Sequence, residues 1–303
     1  MVYFVTCVKH PDNSHSYEDT WKLLQNTLHS VCNQTDKDFQ VLVMCNKILD
    51  DFKTDDKIFN TRLIELDWDA PTTKDRWQIT TQVNNTEGMR YIKKDRGSKY
   101  SLALCELDKL NPSSDDYVMF FDADDFLSPH LSGFLNTNPT SDIWGLYHGW
   151  KLYKNIEGKL FLTEHIQDAF YRRNGSTVMF KLGWFLEEFH GNETKKFTPE
   201  TPQSEILDKT NKTFLEEVLG EHQFSIPHFY KKEKSISYVP FHGAIHNLTH
   251  GENHSGRVPS DKFMKEKFQS DTVKKWNDNM ETQNAYYFYP PKSILEEFSV
   301  KLL

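Results

Sequence analysis

Three carboxylates lie within four positions of the sequence, at Asp122, Asp124 and Asp125. They follow directly after the apolar run YVMFF, which predicts a buried strand over residues 117–121. Neighbouring like charges repel each other, so the strand gains no stability from ending in this way. Carboxylate oxygens are the ligands that Mg²⁺ and Mn²⁺ prefer, and a bound cation would offset the repulsion. The spacing therefore predicts a divalent-cation site.

A solvated acidic turn is the other interpretation of these residues, with Asp124 or Asp125 capping a helix in the segment SPHLSGFL. The apolar residues that lead directly into Asp122-Ala123-Asp124-Asp125 favour the cation site. In open α/β sheets, ligands bind outside the carboxyl ends of the strands. A strand at residues 117–121 would therefore deliver the carboxylates to a cleft.

The elements that must position this site alternate between strands and helices. Continuous apolar runs predict strands, and apolar residues at helical spacing predict helices. The predicted strands are residues 2–8, 39–45 and 61–66, the predicted helices are residues 17–33 and 100–110, and residues 69–87 form a polar loop or lid. This alternation is typical of βαβ units and predicts a mainly parallel sheet flanked by helices.

The second half of the chain is less regular. Its predicted features are a hairpin around Glu157-Gly158, a strand at residues 176–180, a polar insertion at residues 191–212 and a helix at residues 214–222 that breaks at Gly220. No internal repeat or low-complexity linker divides the sequence. We expect one mixed α/β domain with an appended C-terminal segment.

Composition narrows the function classes. The 303 residues carry a formal net charge of -8 with a pI of about 5.9, which argues against a nucleic-acid-binding protein. No apolar run approaches the roughly 18 residues of a membrane span, and the start of the sequence has no secretion-signal pattern, so we expect a cytoplasmic protein. Four cysteines without a Cys-x-x-Cys spacing predict buried, reduced thiols.

Taken together, these segments resemble the GT-A fold glycosyltransferases, in particular family-2-like members. The apolar strand ends in D-x-D a little over a hundred residues into the chain. The stretch TLHSVCNQTDKDFQVLVMCN is similar to the family's helix ending in S-V-x-x-Q-T, followed by D-F and the second strand. KKDRGSKYSLAL lies where these enzymes carry a short basic, glycine-containing turn and a helix. The resemblance covers residues 2–130 and is patchy beyond them.

The resemblance implies a GT-A, Rossmann-like domain over residues 1–256. Residues 1–130 would bind a nucleotide sugar, residues 131–256 would bind the acceptor, and residues 257–303 would form a helical extension. The implied activity is a Mn²⁺- or Mg²⁺-dependent transfer of a sugar, most simply from a UDP-sugar, to a hydroxyl of a glycan or lipid-linked glycan. Lysines and aromatics in residues 261–276 could contact the inner face of the membrane, or form a solvated amphipathic helix.

Roles for the acidic motif follow from the same resemblance. Asp122 would face the ribose and the cation, Asp124 would bind the cation, and Asp125 would bind the cation or the donor sugar. A histidine from the glycine-rich segment HGAIHNLTHGENHSG would complete the cation shell, with His250 preferred and His246 second. A separate zinc site in this segment is a weaker alternative because no cysteine lies nearby.

The resemblance also places residues around the rest of the donor. Arg96, Gly97 and Lys99 suit the diphosphate, although a solvated helix start would have the same composition. The other expected donor contacts are Thr6, Val8 and His10 at the end of the first strand, Ala123 within the motif, and Asn46. Many relatives have an aspartate at the position of Asn46 that reads the uracil or ribose, so the identity of the base stays open.

A catalytic base would be needed if the transfer inverts the sugar's configuration. Glu221 and His222 stand at the distance from D-x-D where inverting members begin a helix with a Glu-Asp pair, and a solvated helix end is the alternative. Aromatic residues in the segment 144–153 could form a sugar-binding wall or pack in the core. The rival functions are a haloacid-dehalogenase-type phosphatase, a nucleotidyltransferase and a non-catalytic metal- or carbohydrate-binding module.

Overall fold

The structure is a computed structural model that describes residues 1–68, 86–154, 160–164, 169–172, 174–191, 197, 201–250 and 290–300. The strands are β1 (Val2–Cys7), β2 (Phe39–Cys45), β3 (Thr61–Glu65), β4 (Tyr117–Asp122), β5 (Phe126–Leu127), β6 (Ile143–Leu146), β7 (Trp150–Lys154), β8 (Leu160–Glu164), β9 (Val178–Lys181), β10 (Ile236–Val239) and β11 (Ala244–Leu248). The helices are α1 (Tyr17–Cys32), α2 (Thr86–Asp108), α3 (Leu131–Thr137), α4 (Leu182–His190), α5 (Gln203–Lys209), a π-helix π1 (Phe214–Leu219), α6 (His222–Tyr230) and α7 (Lys292–Glu297).

Two sheets organise the described residues. The larger sheet has seven strands in the order β10-β6-β9-β4-β1-β2-β3, and only β9 runs antiparallel to its neighbours. The smaller sheet has the order β5-β11-β7-β8. This mainly parallel sheet with helices on its faces confirms the predicted fold class.

The central strands β1, β2 and β4 are apolar along their length because both of their faces are covered. Side chains of alternate residues enter two separate cores. Tyr3 and Val5 of β1 pack in the core beneath α2 and α4, whereas Val2 and Phe4 pack in the core beneath α1 and α3. The carboxyl end of β4 therefore emerges between two rigid layers.

The elements of the first half of the chain, beginning with helix α1, carry clear local sequence signals. The Ser16 side chain caps it by accepting a hydrogen bond from the Asp19 N–H at 3.1 Å, and Trp21, Leu24 and Leu28 are fully buried. β2 spans the residues that the sequence predicts, and β1, β3 and β4 differ from the predictions by one residue at an end. The predicted hairpin is confirmed by β7 and β8, although its turn at residues 157–158 lies outside the described residues.

Helix α2 corrects one prediction. It begins at Thr86, so residues 93–99 belong to a helix and not to a basic turn. Gly97 meets the facing π-helix there, because a β-carbon at this position would lie 2.0 Å from the Leu215 carbonyl oxygen. The glycine serves close helix packing in this structure.

Other predictions lie wholly or partly outside the described residues. The expected lid at residues 69–87 is described only from Thr86, and most of the extension at residues 257–303 is not described. Within the extension, α7 is followed by Phe298, which packs with Phe126 and Leu152 of the smaller sheet. Among the described helices, none is both long and apolar enough to cross a membrane.

Candidate cation and donor site

Asp125 connects the acidic motif to two other parts of the fold, the turn before β9 and strand β11. Its side chain is fully buried, and Oδ2 accepts hydrogen bonds from Ser176 Oγ at 2.6 Å and Asn174 Nδ2 at 2.9 Å. Oδ1 accepts a hydrogen bond from the Asn247 N–H at 3.0 Å. Both carboxyl oxygens of Asp125 thus already accept hydrogen bonds from protein groups.

Electrostatics at Asp125 reflect its crowded surroundings. Burial, followed by the negative charges of Asp124 and Asp122, raises the pKa of the Asp125 carboxyl well above its usual range. The hydrogen bonds from Ser176 and the Asn247 N–H oppose this shift. A cation beside the motif would favour ionisation of all three carboxyls.

Asp124 faces two histidines, His246 within β11 and His250 just after it. The His250 Nε2 atom lies 3.2 Å from Asp124 Oδ2, and both side chains are largely buried. Burial alone would raise the pKa of Asp124, but the hydrogen bond and charge of His250, with the charges of His246 and Lys9, lower it overall. Asp124 is therefore held as a carboxylate beside two imidazoles.

These imidazoles have the chemistry of cation ligands. His250 Nδ1 and His246 Nδ1 are buried and have no hydrogen-bond partner among the described residues, while His250 Nε2 faces the Asp124 carboxylate. Burial lowers the pKa of His246, which keeps its ring neutral near neutral pH. A neutral nitrogen without a hydrogen-bond partner beside a carboxylate suits a divalent cation, and nitrogen ligands favour Mn²⁺ over Mg²⁺.

Arg96 is paired with the first aspartate of the motif. One guanidinium nitrogen lies 2.7 Å from Asp122 Oδ1, and the guanidinium stands 5.5 Å from the ring centre of Tyr100. Gly175 makes room for this pair, since a β-carbon there would lie 2.3 Å from Asp122 Oδ2 and 2.4 Å from the guanidinium. The pair therefore depends on a residue without a side chain.

Lys99, three residues further along α2, points into the protein. Its side chain is fully buried, and Nζ donates to the Val8 carbonyl at 2.9 Å and to Asp95. This ammonium fixes the end of β1, so the geometry gives no support to its expected contact with the diphosphate. Val8 and Thr6 are themselves fully buried.

His222 lies close to the Arg96–Asp122 pair. It lines a small cavity together with Arg96 and Gly175, and burial, then the charge of Arg96, lowers the pKa of His222 to about 4. Glu221 precedes the first residue of α6 and is ion-paired with Lys93. The structure thus brings His222 to the site and turns Glu221 towards α2.

Asn46, His10 and Ala123 are the other residues predicted to contact the nucleotide sugar. Asn46 follows β2; its Nδ2 donates to the Trp68 carbonyl at 2.8 Å, and its Oδ1 is buried without a partner among the described residues. His10 accepts a hydrogen bond from the Asp12 N–H at 3.1 Å, so it caps its own loop. Ala123 is half-buried between Asp122 and Asp124.

The aromatic segment at residues 144–153 divides between two environments. Trp144 is buried and packs edge-on against Phe134, so it belongs to the core. Tyr147, the residue after β6, is 45% exposed and contacts Tyr238 of β10, which is 42% exposed. The exposed rings of Tyr147 and Tyr238 could face a sugar, whereas the buried ring of Trp144 could not.

Several residues of the site carry no signal in the sequence. Asn174, Gly175 and Ser176 look like an ordinary turn before β9, and Asn247 contributes only its backbone N–H. Their roles depend on β9 pairing with β4, which brings this turn beside the motif. A pairing between strands more than fifty residues apart is not visible in local patterns.

Comparisons with known proteins add the following findings. No protein-family model and no curated protein matches the sequence. Among solved structures, a protein described as a nucleotide-diphospho-sugar transferase from Desulfovibrio desulfuricans G20 is similar at 10% identity, with a TM-score of 0.35 and coverage of 93% of this chain and 97% of the other. The galactosyltransferase LgtC, solved with donor and acceptor sugar analogues, is similar at 10% identity, with a TM-score of 0.35 and coverage of 79% and 73%.

A third similar structure is Rv0371C from Mycobacterium tuberculosis H37Rv, solved with manganese. Its identity is 10%, its TM-score is 0.30, and the match covers 80% of this chain and 89% of the other. TM-scores this low carry no argument about activity.

Proposed function

We propose that the protein is a divalent-cation-dependent glycosyltransferase that moves a sugar from a nucleotide diphosphate sugar to a hydroxyl of a glycan or lipid-linked glycan. The observation that carries this proposal is the grouping of Asp124 with His250 and His246 at the carboxyl end of the central strand. That position is where α/β sheets bind their ligands.

Asp124 and His250 would hold Mn²⁺ or Mg²⁺, with His246 and Asp122 as further candidates. When bound, the cation supplies positive charge that stabilises the leaving diphosphate. Arg96 adds a second positive charge, already orientated by Asp122 at 2.7 Å. A donor phosphate would share this guanidinium with Asp122 through charge-assisted hydrogen bonds.

The base of the nucleotide would lie near Asn46. The Asn46 Nδ2 atom donates a hydrogen bond to the Trp68 carbonyl, which leaves Asn46 Oδ1 as an acceptor. The N3–H of uracil is a donor, so this arrangement supports a UDP-sugar. His222 is the proposed catalytic base for an inverting transfer, because it lines the cavity beside Arg96 and its imidazole is neutral near neutral pH. A cytoplasmic location and contact with the inner membrane face stay predictions.

Thermal unfolding with a panel of nucleotide sugars, with and without Mn²⁺, tests the proposal. A donor present at about 100 times its Kd adds about 2.7 kcal/mol to the free energy of unfolding. We expect UDP-sugars to raise the Tm only with Mn²⁺, and Asp124→Asn to remove the rise. Asp56→Asn, which changes an exposed carboxylate, is the matched control and should behave like the wild type.

Three results would contradict the proposal, and each has its own meaning. If no nucleotide sugar raises the Tm, the protein has no donor site. Hydrolysis of simple phosphate esters without an acceptor would indicate the phosphatase. Sugar binding that survives Asp124→Asn, without turnover of any nucleotide, would indicate a binding module.

A further inference from the structure

A second group of potential metal ligands lies outside the acidic motif. His148, Glu164 and His242 each place one ligand atom within 4.8 Å of the other two. The His242 Nε2 atom lies 2.7 Å from Glu164 Oε1, and His148 Nδ1 lies 3.8 Å from the same oxygen. Two imidazoles and one carboxylate are a ligand set typical of a three-residue zinc site.

The three ligands come from three separate elements of the fold. His148 follows β6, Glu164 ends β8, and His242 lies between β10 and β11. They meet only because β7 pairs with β8 on one side and with β11 on the other. A metal there would join the smaller sheet to the carboxyl edge of the larger one.

Close packing fixes the backbone beside each histidine. Gly149 follows His148, and a β-carbon there would lie 2.2 Å from the ring of Phe170. Gly243 follows His242, and a β-carbon there would lie 2.3 Å from the Leu146 side chain. The two histidines are therefore held by glycines that contact the core directly.

Trp150 contacts two of the three ligands: its ring stacks on His242, and it lies opposite Glu164 in the β7–β8 hairpin. The Trp150 and His242 rings stack with centroids 4.4 Å apart and an interplanar angle of 19°. Trp150 is also the direct cross-strand partner of Glu164, so their side chains share one face of the hairpin. Ligands held in this way lose little freedom when a metal binds.

We propose that His148, Glu164 and His242 form a Zn²⁺ site separate from the cation site at Asp124. Imidazole ligands select zinc over magnesium or calcium. The His148 side chain is 48% exposed, so the fourth coordination position faces solvent and can take water or an oxygen ligand. The proposal does not depend on glycosyl transfer.

Metal titration of the full-length protein tests the site. The cation site at Asp124 also includes histidines, so the titration uses a parent protein carrying Asp124→Asn and His250→Ala, after removal of metals with a chelator. We expect one Zn²⁺ per chain, and one Co²⁺ with the intense visible absorption of tetrahedral coordination. Adding His242→Ala, Glu164→Gln or His148→Ala should weaken Zn²⁺ binding by about 100-fold or more, beyond the effect of losing an outer partner.

Two further measurements make the outcome decisive. His130→Ala removes an exposed histidine outside the cluster and should leave Zn²⁺ binding unchanged. Circular dichroism of each metal-free variant establishes that the chain is still folded. If the variants with His242→Ala and Glu164→Gln keep the Zn²⁺ affinity of the parent protein, or if the parent protein binds no Zn²⁺, the proposal is overturned and the Glu164–His242 contact is an ordinary hydrogen bond.

Discussion

Replacing Gly175 by alanine is expected to separate Arg96 from Asp122 while leaving both residues in the chain. The new methyl group would lie 2.3 Å from Asp122 Oδ2 and 2.4 Å from the guanidinium, far inside van der Waals contact. Both atoms are the ends of flexible side chains, so they move before the backbone does. The 2.7 Å ion pair therefore opens.

The expected loss of stability is small. The paired side chains are 18% and 32% exposed. Exposed ion pairs contribute about 0.2–1 kcal/mol and hydrogen bonds to charged groups about 1.5–3 kcal/mol, so this pair should contribute about 1 kcal/mol. A loss of that size lowers the Tm by about 2–4 °C in a large domain.

The expected loss of activity is larger. A catalytic group displaced by about 1 Å can cost about 100-fold in rate, and a displaced guanidinium no longer meets the donor phosphates. Steady-state kinetics with the identified UDP-sugar and Mn²⁺ should thus show kcat/KM reduced by about 10- to 100-fold in Gly175→Ala. Thermal unfolding of the same sample gives the change in Tm.

Gly133→Ala is the matched control, because its new methyl group would lie no closer than 3.5 Å to a neighbour, Asp36. It stands inside α3, where alanine is favoured over glycine by about 1 kcal/mol. Unchanged kcat/KM in Gly175→Ala would refute the argument that this ion pair orientates Arg96. A fall in Tm of more than about 10 °C would show instead that the backbone moved.

Three further predictions concern the same region. The pKa of His222 is about 4 instead of 6.5, so kcat/KM should persist down to about pH 5. The unfolded chain takes up the His222 proton at a higher pH than the folded chain, so the free energy of unfolding falls as the pH drops from 6.5 to 4. Urea unfolding measured across this range should show a smaller fall in His222→Ala. Gly97→Ala forces α2 away from the Leu215 carbonyl and should cost about 3 kcal/mol by urea unfolding. His250→Ala should weaken Mn²⁺ binding by about 100-fold or more in calorimetry, while His130→Ala should leave it unchanged. Equal Mn²⁺ affinities of the two variants would show that His250 is not a ligand of the cation.

The first half of the fold could be predicted closely because its signals are local. β2 is apolar almost throughout, and its bounds follow from the polar residues on either side. The acidic motif was visible for the same reason, since its carboxylates are adjacent in sequence. The expected neighbours of Asp124 also included His250, because glycine and histidine concentrate in one segment.

The different contacts of the basic side chains of α2 could not be predicted from local patterns. Arg96 and Lys99 look equivalent in the sequence, yet Arg96 reaches Asp122 and Lys99 is buried against Val8 and Asp95. Which side chain faces the cleft depends on the rotation of the helix. That rotation is fixed by the contact of Gly97 with π1, which no local pattern reveals.

The three hydrogen bonds to Asp125 have a consequence for how the chain must be made. Two come from the turn before β9 and one comes from β11, so the acidic tip of β4 is complete only after synthesis has passed residue 247. A fragment of residues 1–130 would contain the whole motif and still leave a buried carboxylate without its donors. The two halves of this protein would therefore have to be expressed together, and a split between them should yield neither a stable fragment nor a working cation site.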